Sequence, residues 1–178
     1  DVYKRQPVAM ALFSRFDVSV RIQIQAAYMQ SGAGAKLFQS VGAIPTSRAH
    51  RESSERESIE AIENRQLLAL MPEGRLYRPD EWKRGVGNGK PGVSRIALAT
   101  GAVVVPVGCS GTEEVWPRAG SPRLGWPRRP VRVRLGEPIE LASTDHNDNA
   151  VQVMSAISDI LIEMGDEPTL RDVEASRI

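Results

Sequence analysis

Hydrophobic Val18, Val20, Ile22 and Ile24 alternate with Ser19, Arg21 and Gln23. A period of two places each set on its own face, so residues 18–24 are predicted to form a half-exposed strand. Pro7 suits the first turn of a helix, and residues 8–13 read as the end of one. Residues 26–40 predict a helix interrupted by Gly32 and Gly34. Residues 42–48 predict a short extended or turn segment held by Pro45. Across 52–65, Ile59 and Ile62 share one face among charges, which predicts a surface helix. The apolar run 67–71 ends at Pro72 and predicts a buried strand, as does the run 103–107. Between them lie a polar, glycine-rich loop over 73–89 and a helix over 91–100. Val93, Ile96, Ala97 and Thr100 fall at helical spacing in that helix, with Gly101 as its C-cap. A loop rich in Pro, Gly, Arg and Trp spans 110–130, and loops of that length are usually functional or mobile. Val131, Val133 and Leu135 alternate with Arg132 and Arg134 as in an edge strand. Residues 150–164 close with an amphipathic helix carrying Val153, Ile157, Ile160 and Leu161.

Strands alternating with helices imply an α/β fold with a mixed, largely parallel sheet flanked by helices. A single domain is expected over residues 7–164, followed by a frayed tail at 165–178. Ligands in such sheets bind beyond the carboxyl ends of strands. The loops after 67–71 and after 103–107 are therefore the first places to look for chemistry.

Composition narrows this picture. A chain of 178 residues supports one core. With 41% hydrophobic and 25% charged residues, it is neither disordered nor collagen-like. Cys109 is the only cysteine, which excludes an internal disulfide and a Cys-rich zinc site; no metal site is expected. Cys109 itself reads as a buried strand-end thiol. The two histidines are His50 and His146. Net charge is only +1, yet residues 75–134 carry 12 basic and 4 acidic side chains, and residues 135–178 carry 2 basic and 10 acidic. The central excess suits an anionic partner. The simpler reading is a basic loop and an acidic helix that solvate the domain and face each other. No segment approaches the roughly 18 apolar residues of a membrane span. No apolar leader core precedes a cleavage site. A soluble, cytoplasmic protein is expected, and peripheral contact at the inner membrane face is compatible with it.

Four blocks carry specific chemistry. Gly42-Ala43-Ile44-Pro45-Thr46-Ser47-Arg48 comes first, then Met71-Pro72-Glu73-Gly74-Arg75 after a strand. Lys90-Pro91-Gly92 opens a helix, and Val103-Val104-Val105-Pro106-Val107 follows. Arginine can grip phosphate with a fixed fork of donors. A glycine permits close backbone approach or positive φ. Free N–H groups at a helix start favour an anion. A carboxylate at a strand end, Glu73, can orient an arginine or accept a hydroxyl hydrogen bond.

In this order and spacing the blocks resemble the phospholipid/glycerol acyltransferase family, enzymes that acylate lysophosphatidic acid and related acceptors. The resemblance covers residues 7–141. It implies a glycerol-phosphate acyltransferase-like domain that transfers a fatty acyl group to the hydroxyl of a lysophospholipid or glycerol phosphate. The donor would be an acyl thioester, of CoA or of acyl carrier protein, used as co-substrate with no bound cofactor. By the same resemblance, Arg48, Glu73, Gly74, Arg75, Lys90 and Gly92 would bind the acceptor. The family pattern reads Glu-Gly-Thr-Arg, whereas Arg75 follows Gly74 directly here. Both Arg75 and Arg78 therefore stand as partners for the phosphate.

Acyl transfer to a hydroxyl needs a general base, and histidine suits neutral pH. The family uses His-x-x-x-x-Asp near the start of the domain, and no such motif occurs here. His50, with Glu55 five residues on, begins a charged helix and reads as a surface residue. His146, in Thr144-Asp145-His146-Asn147-Asp148, reads as a surface residue in a polar turn. The catalytic block would fall upstream of Pro7, where residues 1–6 fit nothing in the pattern and read as a non-native leader. The expectation is a fragment that lacks its catalytic residues and is inactive alone.

Three other chemistries compete. The glycine-rich run before Lys90 has Arg84 and Pro91 where a Walker loop needs Gly and Ser or Thr. Gly108-Cys109-Ser110-Gly111 does not match a Gly-x-Ser-x-Gly nucleophile elbow. The arginines at 118, 123, 128, 129, 132 and 134, with Trp116 and Trp126, compose an anion- or nucleic-acid-binding surface in the leading non-enzymatic alternative. On the acyltransferase reading no nucleic-acid partner is expected.

Overall fold

The computed structural model describes residues 19–29, 33–74, 86–115 and 130–165. The expectations for residues 1–18, Arg75, Arg78, the segment 116–129 and the tail beyond Gly165 lie outside these residues.

A three-stranded parallel sheet forms one half of the core. Strand β1 (Val20–Gln25) is central, with β2 (Ile44–Thr46) on one side and β3 (Leu67–Ala69) on the other. The β1 alternation is confirmed: Ile22 and Ile24 point into the core, and Gln23 and Arg21 lie on the other face. Parallel neighbours require crossovers, which helices supply here. A short 3-10 turn (Ala26–Met29) and helix α1 (Ala33–Ser40) join β1 to β2; α2 (Arg51–Glu63) joins β2 to β3. The predicted segment over 26–40 thus holds two elements, and Gly34 lies inside α1 rather than interrupting it. Ile24, Phe38 and Ala43 form a buried cluster backed by Met29 and Val41.

Helix α2 departs from its hydrophobic pattern. Its buried residues are Ser54, Ser58 and Ala61, while Ile59 and Ile62 are only half-buried. Small side chains let it sit close to β1 and β2. Their hydroxyls are satisfied locally: Ser54 donates to the His50 and Pro45 carbonyls, and Ser58 donates to the Ser54 carbonyl at 2.6 Å. Gln23 Nε2 donates to Ser58 Oγ at 2.7 Å, joining sheet to helix.

Helix α3 (Gly92–Thr100) starts two residues after Lys90, and Gly101 ends it in the left-handed conformation, as predicted. It packs on α2, where Arg95 Nε meets Glu55 Oε2 at 2.8 Å. The run 103–107 is not a buried strand. Val103, Val105 and Val107 are exposed, and Val104 makes an isolated antiparallel bridge with Ile139. The strand lies further on, at β4 (Val107–Ser110), and pairs antiparallel with β5 (Arg132–Leu135). Alternating exposure, rather than full burial, is the pattern of a strand covered on one face. The run 67–71 is likewise shorter than predicted and only half-buried, with Leu67 exposed. Cys109 is half-buried on β4, not fully buried. A short helix α4 (Thr112–Val115) follows β4.

Helix α5 (His146–Glu163) is longer than predicted, because Asp145 caps it by accepting from the Asn147 N–H at 2.7 Å. It buries Ala150, Val153, Met154 and Ile160 against α3 and β4. Arg134 on β5 meets Glu163 on α5 at 2.8 Å. Both side chains are more than half exposed, and such a pair contributes little. Among the described residues, no helix is long and apolar enough to cross a membrane.

Candidate functional site

Strands β2 and β3 are both parallel to β1, so the turns that follow them emerge at one edge of the sheet. The turn after β2 carries Arg48, which is exposed. Next to it, Ser47 Oγ and the His50 Nδ1 are 2.7 Å apart at the start of α2. His50 is exposed, as expected of a surface histidine.

The turn after β3 carries Pro72, Glu73 and Gly74. Gly74 N donates to the Met71 carbonyl at 3.1 Å, closing the turn. Gly74 has φ +63°, a conformation that disfavours any side chain. Two further bonds fold this turn onto the segment leading into α3. Glu73 Oε1 accepts from the Gly87 N–H at 3.2 Å, and the Lys90 N–H donates to the Pro72 carbonyl at 2.7 Å. A Cβ at Gly74 would lie 3.1 Å from Lys90 Cγ, so turn and lysine stem are in contact. Glu73 is half-buried, and Gly74 and Lys90 are exposed. Glu73 therefore organises two loops, a role that the strand-end reading did not include.

Gly92 begins α3, with Pro91 before it and no side-chain cap. The first N–H groups of a helix lack intrahelical partners and carry its positive end. Glu73, Gly74, Lys90 and Gly92 are thus gathered at one place, while Arg48 stands on the turn after β2, at the same end of the sheet but on the other side of β1. Arg75, the remaining predicted contact, lies outside the described residues. Among the described residues, no group of three His, Cys, Asp or Glu side chains is arranged to hold a metal.

The model of the acyltransferase family matches residues 7–110, more than half of the chain, and spans all the segments just described. The chain belongs to the acyltransferase family. Its fold is that of the 1-acyl-sn-glycerophosphate (LPA) acyltransferase PlsC of Thermotoga maritima. The crystal structure of that protein is similar with a TM-score of 0.59 over 88% of this chain, at 18% identity. This chain spans 61% of the length of that one. Among curated proteins, none matches the chain.

One acyltransferase residue behaves differently from its expectation. His146 is not an exposed residue of a polar turn. It is the first residue of α5, is half-buried, and its Nδ1 lies 2.9 Å from Ser94 Oγ in the first turn of α3. Ser94 and Asn149 were not foreseen either. Ser94 is fully buried, and Asn149 Nδ2 donates to its hydroxyl at 2.7 Å. The signal was present in the sequence: Ser94 interrupts the apolar face set by Val93, Ile96 and Ala97, and Asn149 precedes Ala150 and Val153 on the inward face of α5.

Proposed function

We propose that this acyltransferase binds the phosphate-bearing acceptor, a lysophospholipid or glycerol phosphate, at the edge formed by Arg48, the Glu73–Gly74 turn, Lys90 and the start of α3. The observation that carries this reading is the pair of bonds, Glu73 to Gly87 and Lys90 to Pro72, that folds the Pro-Glu-Gly turn against a helix start. The N–H groups of the first turn of α3 and a lysine then lie beside the turn after β3, with an arginine after β2 at the same end of the sheet, a setting suited to an anion. Arg75 or Arg78 adds a further cation on this reading.

The reaction is O-acyl transfer. The acceptor hydroxyl gives its proton to a histidine oriented by an aspartate, and the oxygen attacks the thioester carbonyl. The carbon–sulfur bond then breaks, and the thiol of CoA or acyl carrier protein leaves with the proton. Neither histidine here suits the base role, since His50 pairs with Ser47 and His146 with buried Ser94. No His-x-x-x-x-Asp motif occurs in residues 1–178, so on this reading these residues bind acceptor without turning it over.

Calorimetric titration with sn-glycerol 3-phosphate tests this, with glycerol as the uncharged control. Binding of the phosphate ester alone, weakened at least tenfold in Arg48→Glu and Lys90→Glu, is the expected result. Equal affinity in both variants, or no difference between ester and glycerol, overturns the assignment.

A further inference from the structure

Ser94, His146 and Asn149 form a polar cluster inside an otherwise apolar contact between α3 and α5. Ser94 is 0% and Asn149 1% exposed. Buried polar groups are costly unless bonded, and here the accounts close. Asn149 Nδ2 gives its two hydrogens to Ser94 Oγ at 2.7 Å and to the Ser143 carbonyl at 2.8 Å. Its Oδ1 accepts from the Ser143 N–H at 3.2 Å. Ser94 Oγ and His146 Nδ1 lie 2.9 Å apart, with the donor set by the imidazole tautomer.

A serine hydroxyl facing an imidazole resembles a nucleophile and its base. Burial excludes that use, because no substrate reaches a hydroxyl with no exposed surface. The cluster instead ties α5 to the first turn of α3, two residues beyond Gly92. A second contact points the same way. A Cβ at Gly89 would lie 2.8 Å from Met154 Cγ and 3.0 Å from the Ala150 carbonyl oxygen, so the segment before α3 also rests on α5. That segment carries Gly87, which holds Glu73, and Lys90, which holds Pro72. The first turns of α5 therefore support, through two contacts, the backbone that shapes the turn after β3.

We propose that Ser94, His146 and Asn149 are positioning residues for acceptor binding, holding the start of α3 and the 86–90 segment in the geometry that the phosphate meets. The role rests on the acceptor reading above. His146 is the member to test, since it is half-buried and can change without leaving a hole at the centre of the contact. His146→Leu removes the ring nitrogen that meets the Ser94 hydroxyl. His146→Asn restores a polar amide atom, oxygen or nitrogen, at the same bonded distance from Cα as the ring Nδ1.

Two measurements on the 178-residue chain separate the ideas. In amide hydrogen exchange, His146→Leu should speed exchange at residues 87–95 at least fivefold while β1 and β2 keep their protection, and His146→Asn should return it to within twofold. Unchanged exchange at 87–95, or loss of protection throughout the chain in both variants, overturns the positioning role. In titration with sn-glycerol 3-phosphate, His146→Leu should bind about tenfold more weakly, as for loss of one buried hydrogen bond, with recovery in His146→Asn. A wild-type chain that binds while His146→Leu binds equally well overturns the positioning role alone. A folded wild-type chain that does not bind the ester, with the exchange result as expected, overturns the acceptor reading and leaves the clamp on α3 standing.

Discussion

Glu73 reaches across the sheet edge to the N–H of Gly87, 14 positions later in the chain. This single carboxylate holds the turn after β3 against the approach to α3, so its loss should loosen both. The accepting oxygen matters more than the charge. Glu73→Gln keeps an oxygen for Gly87 and should weaken acceptor binding by less than about threefold. Glu73→Ala removes it and should cost about tenfold, the size of one hydrogen bond to a charged group. Titration of both variants with sn-glycerol 3-phosphate checks the order; equal losses would make charge the dominant factor.

Gly74 adopts φ +63° beside Lys90. Gly74→Ala places a Cβ in the left-handed region, at a cost of about 1–2 kcal/mol. For a chain of this size that lowers the thermal midpoint by about 2–8 °C. The new methyl also presses on the Lys90 stem, so the variant should bind acceptor more weakly than its stability loss explains. Calorimetric unfolding and titration read the two effects separately.

Gly89 is constrained by contact rather than by conformation. Gly89→Ala would drive a methyl into Met154 and the Ala150 carbonyl. Overpacking of this kind typically costs about 1–3 kcal/mol. Met154→Ala in the same chain relieves the side-chain clash but not the one with the carbonyl, so recovery should be partial. Urea unfolding of the two single variants and the double variant measures this.

How far the sequence discloses such relationships depends on their range. The β1 alternation, the glycine cap at Gly101 and the helix over 92–100 are local patterns, and each is legible because propensity, capping and burial agree there. The Pro-Glu-Gly and Lys-Pro-Gly blocks can be read as letters, but Glu73 bonding to Gly87 cannot, since the two are 14 positions apart and no local pattern pairs them. The run 103–107 misleads for another reason. Continuous apolar sequence looks buried on both faces, yet Val103, Val105 and Val107 are exposed on one. His146 misleads in the opposite sense: charged and polar neighbours suggest solvent, while Ser94 and Asn149 draw it inward.

The small inward face of α2 offers a separate check on the fold. Gln23 donates to Ser58 at 2.7 Å, so Ser58→Ala leaves a part-buried amide without that acceptor. The expected loss is about 1–3 kcal/mol in urea unfolding. Changing Gln23→Met together with Ser58→Ala removes donor and acceptor at once and should recover most of it. A double variant as unstable as Ser58→Ala would show that Ser58 acts through its bond to the Ser54 carbonyl instead.

The bond from Asn149 to Ser94 closes a span of 55 positions. Contacts of that separation form late, because the chain between them must lose its freedom first. A ribosome releasing this chain exposes the Pro-Glu-Gly turn and the start of α3 long before α5 emerges to support them. On the positioning role proposed above, this edge would be the last part of the molecule to mature during synthesis, and a product stopped before residue 146 would carry its motifs without that support.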